Sequence, residues 1–188
     1  GAVLLGVEQA FEIPALDTPP RIGVCHSPHW PRAERSTVLA LDRAIEVLSG
    51  GGADLDSVEL SENFNAVLDA NWTILMFEFA RSLAYERAAH QDQLSDRLRD
   101  LLGRGLAVPY PDYAAALDLA ERCRAEIAPL FDRYDALLTP SAAGEAPVGL
   151  QAPSDLLFQR LWTVLHLPCV SLPGLVGEAG MPVGIQLV

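Results

Sequence analysis

Residues 21–60 spell out a strand, a helix and a second strand in immediate succession. The apolar run RIGVC at 21–25 follows Thr18, Pro19 and Pro20 and is closed by His26, Ser27 and Pro28, the punctuation of a buried strand. From Ala33 to Ser49 the residues Val38, Leu41, Ile45 and Leu48 recur at the spacing of one helix face. Gly50, Gly51 and Gly52 then end the helix, because glycine takes a left-handed cap conformation without a Cβ clash. A second strand is predicted within ADLDSVEL at 53–60. Strands joined through a helix in this way form a βαβ unit with a right-handed crossover.

The rest of the chain continues this alternation. Phe64, Leu68, Trp72, Leu75, Phe79 and Leu83 mark an apolar stripe long enough to cover a sheet face. Glu78 and Arg81 stand one turn apart on it, spaced for an ion pair worth about 0.2–0.5 kcal/mol. A shorter helix is predicted over 92–102, with Leu94, Leu98 and Leu101 inward and a stop at Gly103 to Gly105. Pro109 and Pro111 bracket the start of a long helix carrying Tyr113, Leu117, Ala120, Cys123 and Ile127 on one side, and Pro129 must kink or restart it.

After Tyr134 the runs are short and punctuated by proline. A strand over 136–139 stops at Pro140, and 141–153 is a loop. Ser154 and Asp155 cap a helix over 156–165 that ends before Pro168. A strand over 169–172 is closed by Pro173 and Gly174, and residues 183–188 return as its hairpin partner. Apolar strands interleaved with long amphipathic helices indicate an α/β fold with a mostly buried mixed β-sheet flanked by helices.

Composition excludes several classes of function. The formal net charge is −12, and all 13 basic residues are scattered arginines, so no cationic face exists to track nucleic-acid phosphates. No apolar run reaches the roughly 18–20 residues that cross a bilayer, and the N-terminal GAVLLG lacks the basic flank of a signal peptide. A soluble, cytoplasmic protein without nucleic-acid or membrane partners is expected. Cys25, Cys123 and Cys169 are too widely spaced for a disulfide framework or zinc knuckle and are expected as buried or semi-buried free thiols.

Four segments, taken in order, carry a resemblance. They are PRIGV at 20–24 with its helix and glycine turn, MFEFARSLAYE at 76–86, YDALLTP at 134–140, and WTVLHLPC at 162–169. Together they resemble the amidase signature hydrolases, over essentially the whole chain. The resemblance implies a three-layer α/β/α fold, with residues 1–188 as a single C-terminal portion of an amidase domain. It also implies a small carboxamide substrate, no cofactor and no metal. Thr139, Pro140, Trp162, His166 and Cys169 are then expected near the acyl pocket. His166 stands where the family usually has glycine.

The family's chemistry runs through a serine nucleophile, a second serine that relays its proton, and a lysine base. A serine hydroxyl is a poor nucleophile near neutral pH without an adjacent base. This sequence has no lysine and no Gly-Ser-Ser run, so the triad is expected outside it, and the isolated chain is expected to be inactive. The missing N-terminal amidase segment, or further copies of the chain in a homo-oligomer, become the expected partners. Loss of that segment should leave sheet edges and apolar helix faces uncovered, so oligomerisation or a tendency to aggregate is expected. The alternative is a non-catalytic structural or interaction subunit of amidase ancestry.

No other constellation replaces the triad. The ten serines form no Gly-x-Ser-x-Gly elbow, and Ser141 suits a pocket-lining or turn role. Cys169 near His166 suggests a thiol–imidazole pair, but an apolar strand would bury the thiol and raise its pKa. His26 and His29 lack further ligands close in sequence and read as solvated imidazoles at a strand end, with Trp30 as packing or a cleft wall. Glu46, Glu59, Glu121 and Glu126 read as solvated carboxylates.

Overall fold

Strands β1 (Arg21–Cys25) and β2 (Asp54–Val58) pair in parallel over their full length, Arg21 opposite Asp54 through Cys25 opposite Val58. They belong to a computed structural model that describes residues 17–149 and 156–188, so the Ser154–Asp155 cap lies outside the described residues. Helix α1 (Arg35–Gly50) joins them, and Gly52 holds the left-handed conformation at φ +91° in the turn that follows. The face α1 buries is Thr37, Ala40, Leu41 and Ala44. Its two alanines bring the helix close to the sheet, leaving Val38, Ile45 and Leu48 partly covered on its flanks.

Strand β3 (Ala136–Pro140) pairs in parallel on the other side of β1. Strand β5 (Pro182–Leu187) runs antiparallel to β3, and β4 (Val170–Val176) lies antiparallel to β5 at the sheet's edge. The order is β2-β1-β3-β5-β4, the expected mixed sheet with its C-terminal hairpin. Pro173 and Gly174 do not close β4. The register shifts between Leu172 and Leu175, and an outermost strand tolerates such a bulge and a proline because one side of it needs no ladder donors.

The remaining helices are α2 (Val67–Ser82), α3 (Ala84–Ala89), α4 (Asp96–Leu106), α5 (Tyr110–Ile127), α6 (Leu130–Arg133) and α7 (Leu157–Val164). Pro129 caps α6 and restarts the chain there. One sheet face packs Ile22, Val24, Leu138, Val183 and Ile185 against Leu41 and Ala44 of α1. The other packs Cys25, Val58 and Leu137 against Val67 of α2, Cys123 and Ile127 of α5, and Leu161 and Trp162 of α7. Three layers result.

Two helices depart from the sequence pattern. In α2 the buried residues are Val67, Ala70, Met76, Phe77 and Ala80, while Leu75 is 46% exposed and Leu68, Trp72 and Phe79 are only half-buried. This helix is apolar around most of its circumference, so spacing alone marks two stripes, and the one with small residues packs closest. Helix α4 begins at Asp96, capped by the Ser95 hydroxyl on the Leu98 amide at 3.3 Å, and runs through both glycines. The predicted Glu78–Arg81 pair is also replaced. Tyr113 donates its hydroxyl to Glu78 at 2.8 Å, and the Arg81 guanidinium sits 3.3 Å above the Phe77 ring and donates to the Phe77 carbonyl. Stacking on a ring and binding a carbonyl one turn back satisfies the guanidinium locally.

Ion contacts fasten the connections. The Arg21 amide and guanidinium both donate to Asp135, at 2.7 and 3.1 Å, and hold that carboxyl below the usual range. Asn63 donates to Glu126 at 3.0 Å, and hydrogen bonds from Ser61 and Asn63 lower the pKa of Glu126. No helix among the described residues is long and apolar enough to cross a membrane.

Candidate functional site

The carboxyl ends of β1, β2 and β3 open on one edge of the sheet, where ligand-binding loops of open α/β sheets collect. Thr139 is fully buried at the end of β3, opposite Gln186 of β5. The Gln186 amide donates to the Pro140 carbonyl at 2.9 Å and to the Phe158 carbonyl of α7 at 3.3 Å. One buried side chain thus ties the end of β3 to the helix layer. Trp162, also fully buried, lies in that layer, and both its Nε1 and the Thr139 Oγ1 lack a protein hydrogen-bond partner.

Beyond Pro140 the chain is fixed on both sides. The Ser141 amide donates to the Gly184 carbonyl at 3.2 Å, and a Cβ on Gly184 would overlap the Ser141 hydroxyl. Thr37 donates to the Ala142 carbonyl at 3.1 Å, and the Glu34 amide donates to Ala143 at 2.6 Å. The Glu145 carboxylate accepts from the amides of Ala179 and Met181, each at 3.0 Å, in the turn between β4 and β5. Residues 141–145 therefore form a fixed wall, clamped between the start of α1 and the C-terminal hairpin.

A crevice of about 340 Å³ opens at the ends of β1 and β2. It is lined by His26, Ser27 and Trp30 after β1 and by Ser57, Glu59 and Glu62 from β2 onward. Ser27 has φ +53°, and the His26 ring meets Trp30 edge-on with centroids 4.5 Å apart. Trp30 is thus a cleft wall. Among the described residues no group of three or more His, Cys, Asp or Glu can hold a metal ion, so the His26 and His29 positions do not build one.

Of the residues singled out from sequence, Thr139, Pro140 and Trp162 lie in adjoining layers, linked through Gln186 and α7. His166 and Cys169 lie elsewhere. They join α7 to β4, and β4 begins with Val170 opposite Leu187, level with Leu138 and away from the Pro140 edge. His166 has φ +58° and ends α7 with two bonds, its own amide to the Thr163 carbonyl and the Leu167 amide to the Trp162 carbonyl, both 3.1 Å. A left-handed residue closing a helix this way is usually glycine. Replacing His166 with glycine is accordingly expected to stabilise the fold by about 0.5–1 kcal/mol, relief of the left-handed backbone outweighing the chain entropy of glycine. The contact between Arg124 Nη2 and His166 Nε2 at 3.1 Å would be lost, but Arg124 keeps the Val164 carbonyl at 2.8 Å. A lower melting temperature for His166→Gly would contradict this.

The cysteines differ from expectation in one respect. Cys25 and Cys123 are buried, and burial pushes the Cys25 thiol up to about 11. Cys169 is exposed just before β4, whose first residue Val170 is itself 62% exposed, so the start of this edge strand is uncovered. Partial burial still raises its thiol, and its Sγ lies 3.7 Å from the Leu167 carbonyl with no imidazole bound to it. A disulfide reagent at pH 8 should therefore modify one thiol in the folded protein, with Cys25 and Cys123 following only on unfolding. Cys169→Ala should abolish the native-state reaction, and survival of that reaction would contradict the burial pattern.

Sequence patterns point to the end of β3 through Pro140 but not to Gln186, Glu34 or Glu145, whose partners are distant in the chain. Glu59 and Glu62 carry no periodic signal either. Only their convergence with Trp30 distinguishes them from surface carboxylates.

Comparison with known proteins extends these observations. The model of the Amidase family matches residues 6–188. A 2-amino-5-chloromuconic acid deaminase from Comamonas testosteroni is 26% identical over 189 residues, covering 89% of this chain and 39% of the deaminase. A glutamyl-tRNA(Gln) amidotransferase subunit from Neorickettsia sennetsu is 35% identical over 85 residues, 42% of this chain and 18% of that protein. Among solved structures, one described as an amidase superposes with a TM-score of 0.78 at 26% identity, over 100% of this chain and 44% of its own. The 6-aminohexanoate cyclic dimer hydrolase complexed with substrate shares the fold, with a TM-score of 0.75 at 18% identity over 93% of this chain and 42% of its own. The chain spans less than half the length of each of these proteins.

Proposed function

The chain belongs to the amidase family, and we propose that it forms part of an enzyme hydrolysing the C–N bond of a small carboxamide, with the reacting serines and lysine supplied by polypeptide outside these 188 residues. One observation carries this reading: the family match runs from residue 6 to 188 in a sequence that contains no lysine. The chemistry needs a base to take the serine proton and convergent donors for the oxyanion. Neither Ser141 nor Cys169 has a base bonded to it, so the chain's own contribution is structural.

In this reading Thr139 and Pro140, continued by the fixed wall of 141–145, bound the acyl side of the substrate, and Trp162 supports them from beneath. His166 and Cys169 shape the turn between α7 and β4 and bear on the pocket only through α7. The three free thiols suit a reducing compartment, so a cytoplasmic location belongs to the same proposal. The absence of lysine also favours a second reading, a non-catalytic subunit of amidase ancestry.

One experiment separates the two. The purified 188-residue chain is expected to release no ammonia from benzamide or propionamide. If the gene adjoining this coding region specifies a lysine-bearing segment with a Gly-Ser-Ser run, the joined polypeptide should hydrolyse such amides. Turnover by the 188 residues alone would overturn the proposal, and the lack of any such segment would favour the scaffold.

A further inference from the structure

We propose that the crevice at the carboxyl ends of β1 and β2 is a binding site for an organic cation, an ammonium group attached to an aromatic or apolar body. Its position follows from topology. From β1 the chain turns toward α1 on one sheet face, whereas from β2 it turns toward α2 on the other. Two adjacent parallel strands whose connections part in this way leave a gap between their loops, where open α/β sheets bind ligands. Here the gap measures about 340 Å³, within the range of small-molecule sites.

The lining selects the charge. Glu59 and Glu62 border the crevice, no arginine does, and among the described residues neither carboxylate is met by a cationic side chain. A cleft bordered by one sign of charge, in a chain of net charge −12, concentrates cations. Trp30 supplies an aromatic wall, and a cation against an indole ring gains a further attraction that grows as it is desolvated. The hydroxyls of Ser27 and Ser57 can accept hydrogen bonds from an ammonium group. Among the described residues no group of three or more His, Cys, Asp or Glu is placed to hold a metal ion, so these carboxylates do not make a metal cage.

The loop that carries Trp30 is set for this. The Trp30 amide donates to the Ser27 carbonyl at 3.2 Å, and the His29 amide donates to the Ser27 hydroxyl at 3.3 Å. These bonds hold Ser27 at its positive φ, backbone strain of the kind that persists where surrounding contacts determine it.

Titration of the 188-residue chain with benzylammonium, followed by calorimetry and tryptophan fluorescence, tests the proposal. Saturable binding at one site is expected, with the uncharged benzyl alcohol at least tenfold weaker. Glu59→Gln with Glu62→Gln should weaken benzylammonium at least tenfold without changing the melting temperature. Glu46→Gln with Glu178→Gln, which removes the same charge elsewhere, should change it less than twofold. Trp30→Phe should remove the fluorescence response while leaving measurable heat. Equal affinity for benzyl alcohol, equal effects of the two charge-removing pairs, or no saturable binding would each overturn the proposal.

Discussion

Trp162→Ala is expected to lower the unfolding free energy by about 3–5 kcal/mol, the usual cost of emptying a large aromatic site in a core. Trp162 has no exposed surface and packs in one cluster with Cys25 of β1, Val58 of β2, Leu137 of β3 and Val188, so its removal opens the layer that joins α7 to the sheet. One contribution runs the other way. The indole Nε1 is buried without a protein hydrogen-bond partner, and deleting it removes a desolvation cost of about 1–3 kcal/mol. Trp162→Phe separates the two effects, since it keeps most of the ring volume and discards the donor. The phenylalanine variant should retain more than half of the stability that alanine loses. Urea unfolding checks this through the midpoint at unchanged slope. An alanine variant within 1 kcal/mol of the wild type, on the scale of about 5–15 kcal/mol for a whole domain, would show that α7 is not anchored through this residue.

The same layer shows how far the fold was legible in the sequence. Strands β1, β2 and β3, the helix between the first two, and the C-terminal hairpin follow from local signals: short apolar runs, three glycines at 50–52, and prolines at run ends. These signals act within a few residues, so they survive folding. What periodicity missed depends on which neighbour arrives. Helix α2 carries two apolar stripes, and only the approach of α4, α5 and α7 decides that Ala70 and Ala80 are inside while Leu75 is not. Strand β4 continues past Pro173 because it lies at an edge, which its own sequence cannot state. At the site, Pro140 marked the end of β3. The clamps on the wall that follows join Thr37 to Ala142 and Glu145 to Ala179, 105 and 34 residues apart, and leave no trace in local pattern. His166 is the instructive middle case. It stands out in sequence as a departure from glycine, and its φ of +58° supplies the physical reason for that preference.

Gly105 and Gly103 should respond to the same substitution with opposite sign. Both lie inside α4, two residues apart, where glycine ordinarily weakens a helix by about 0.5–1 kcal/mol relative to alanine. A Cβ on Gly103 would meet nothing within 4 Å, so Gly103→Ala should stabilise the protein by that amount. A Cβ on Gly105 would overlap the Met76 carbonyl oxygen of α2 and lie 2.7 Å from the Ala80 Cβ. The Met76 oxygen is backbone and cannot rotate aside, so α4 must withdraw from α2. Forced overpacking of this kind costs about 1–3 kcal/mol, and the withdrawal also strains the bond from Arg81 to the Gly105 carbonyl at 3.4 Å. Net of the helix gain, Gly105→Ala should destabilise by about 1–2 kcal/mol, and Gly105→Val by more because its branches find the same backbone. The quantity to measure is the difference in urea midpoint between Gly103→Ala and Gly105→Ala. If both variants are stabilised, close approach of α4 and α2 is not what places glycine at 105. If both are destabilised, α4 is held less helical at its end than its hydrogen bonds describe.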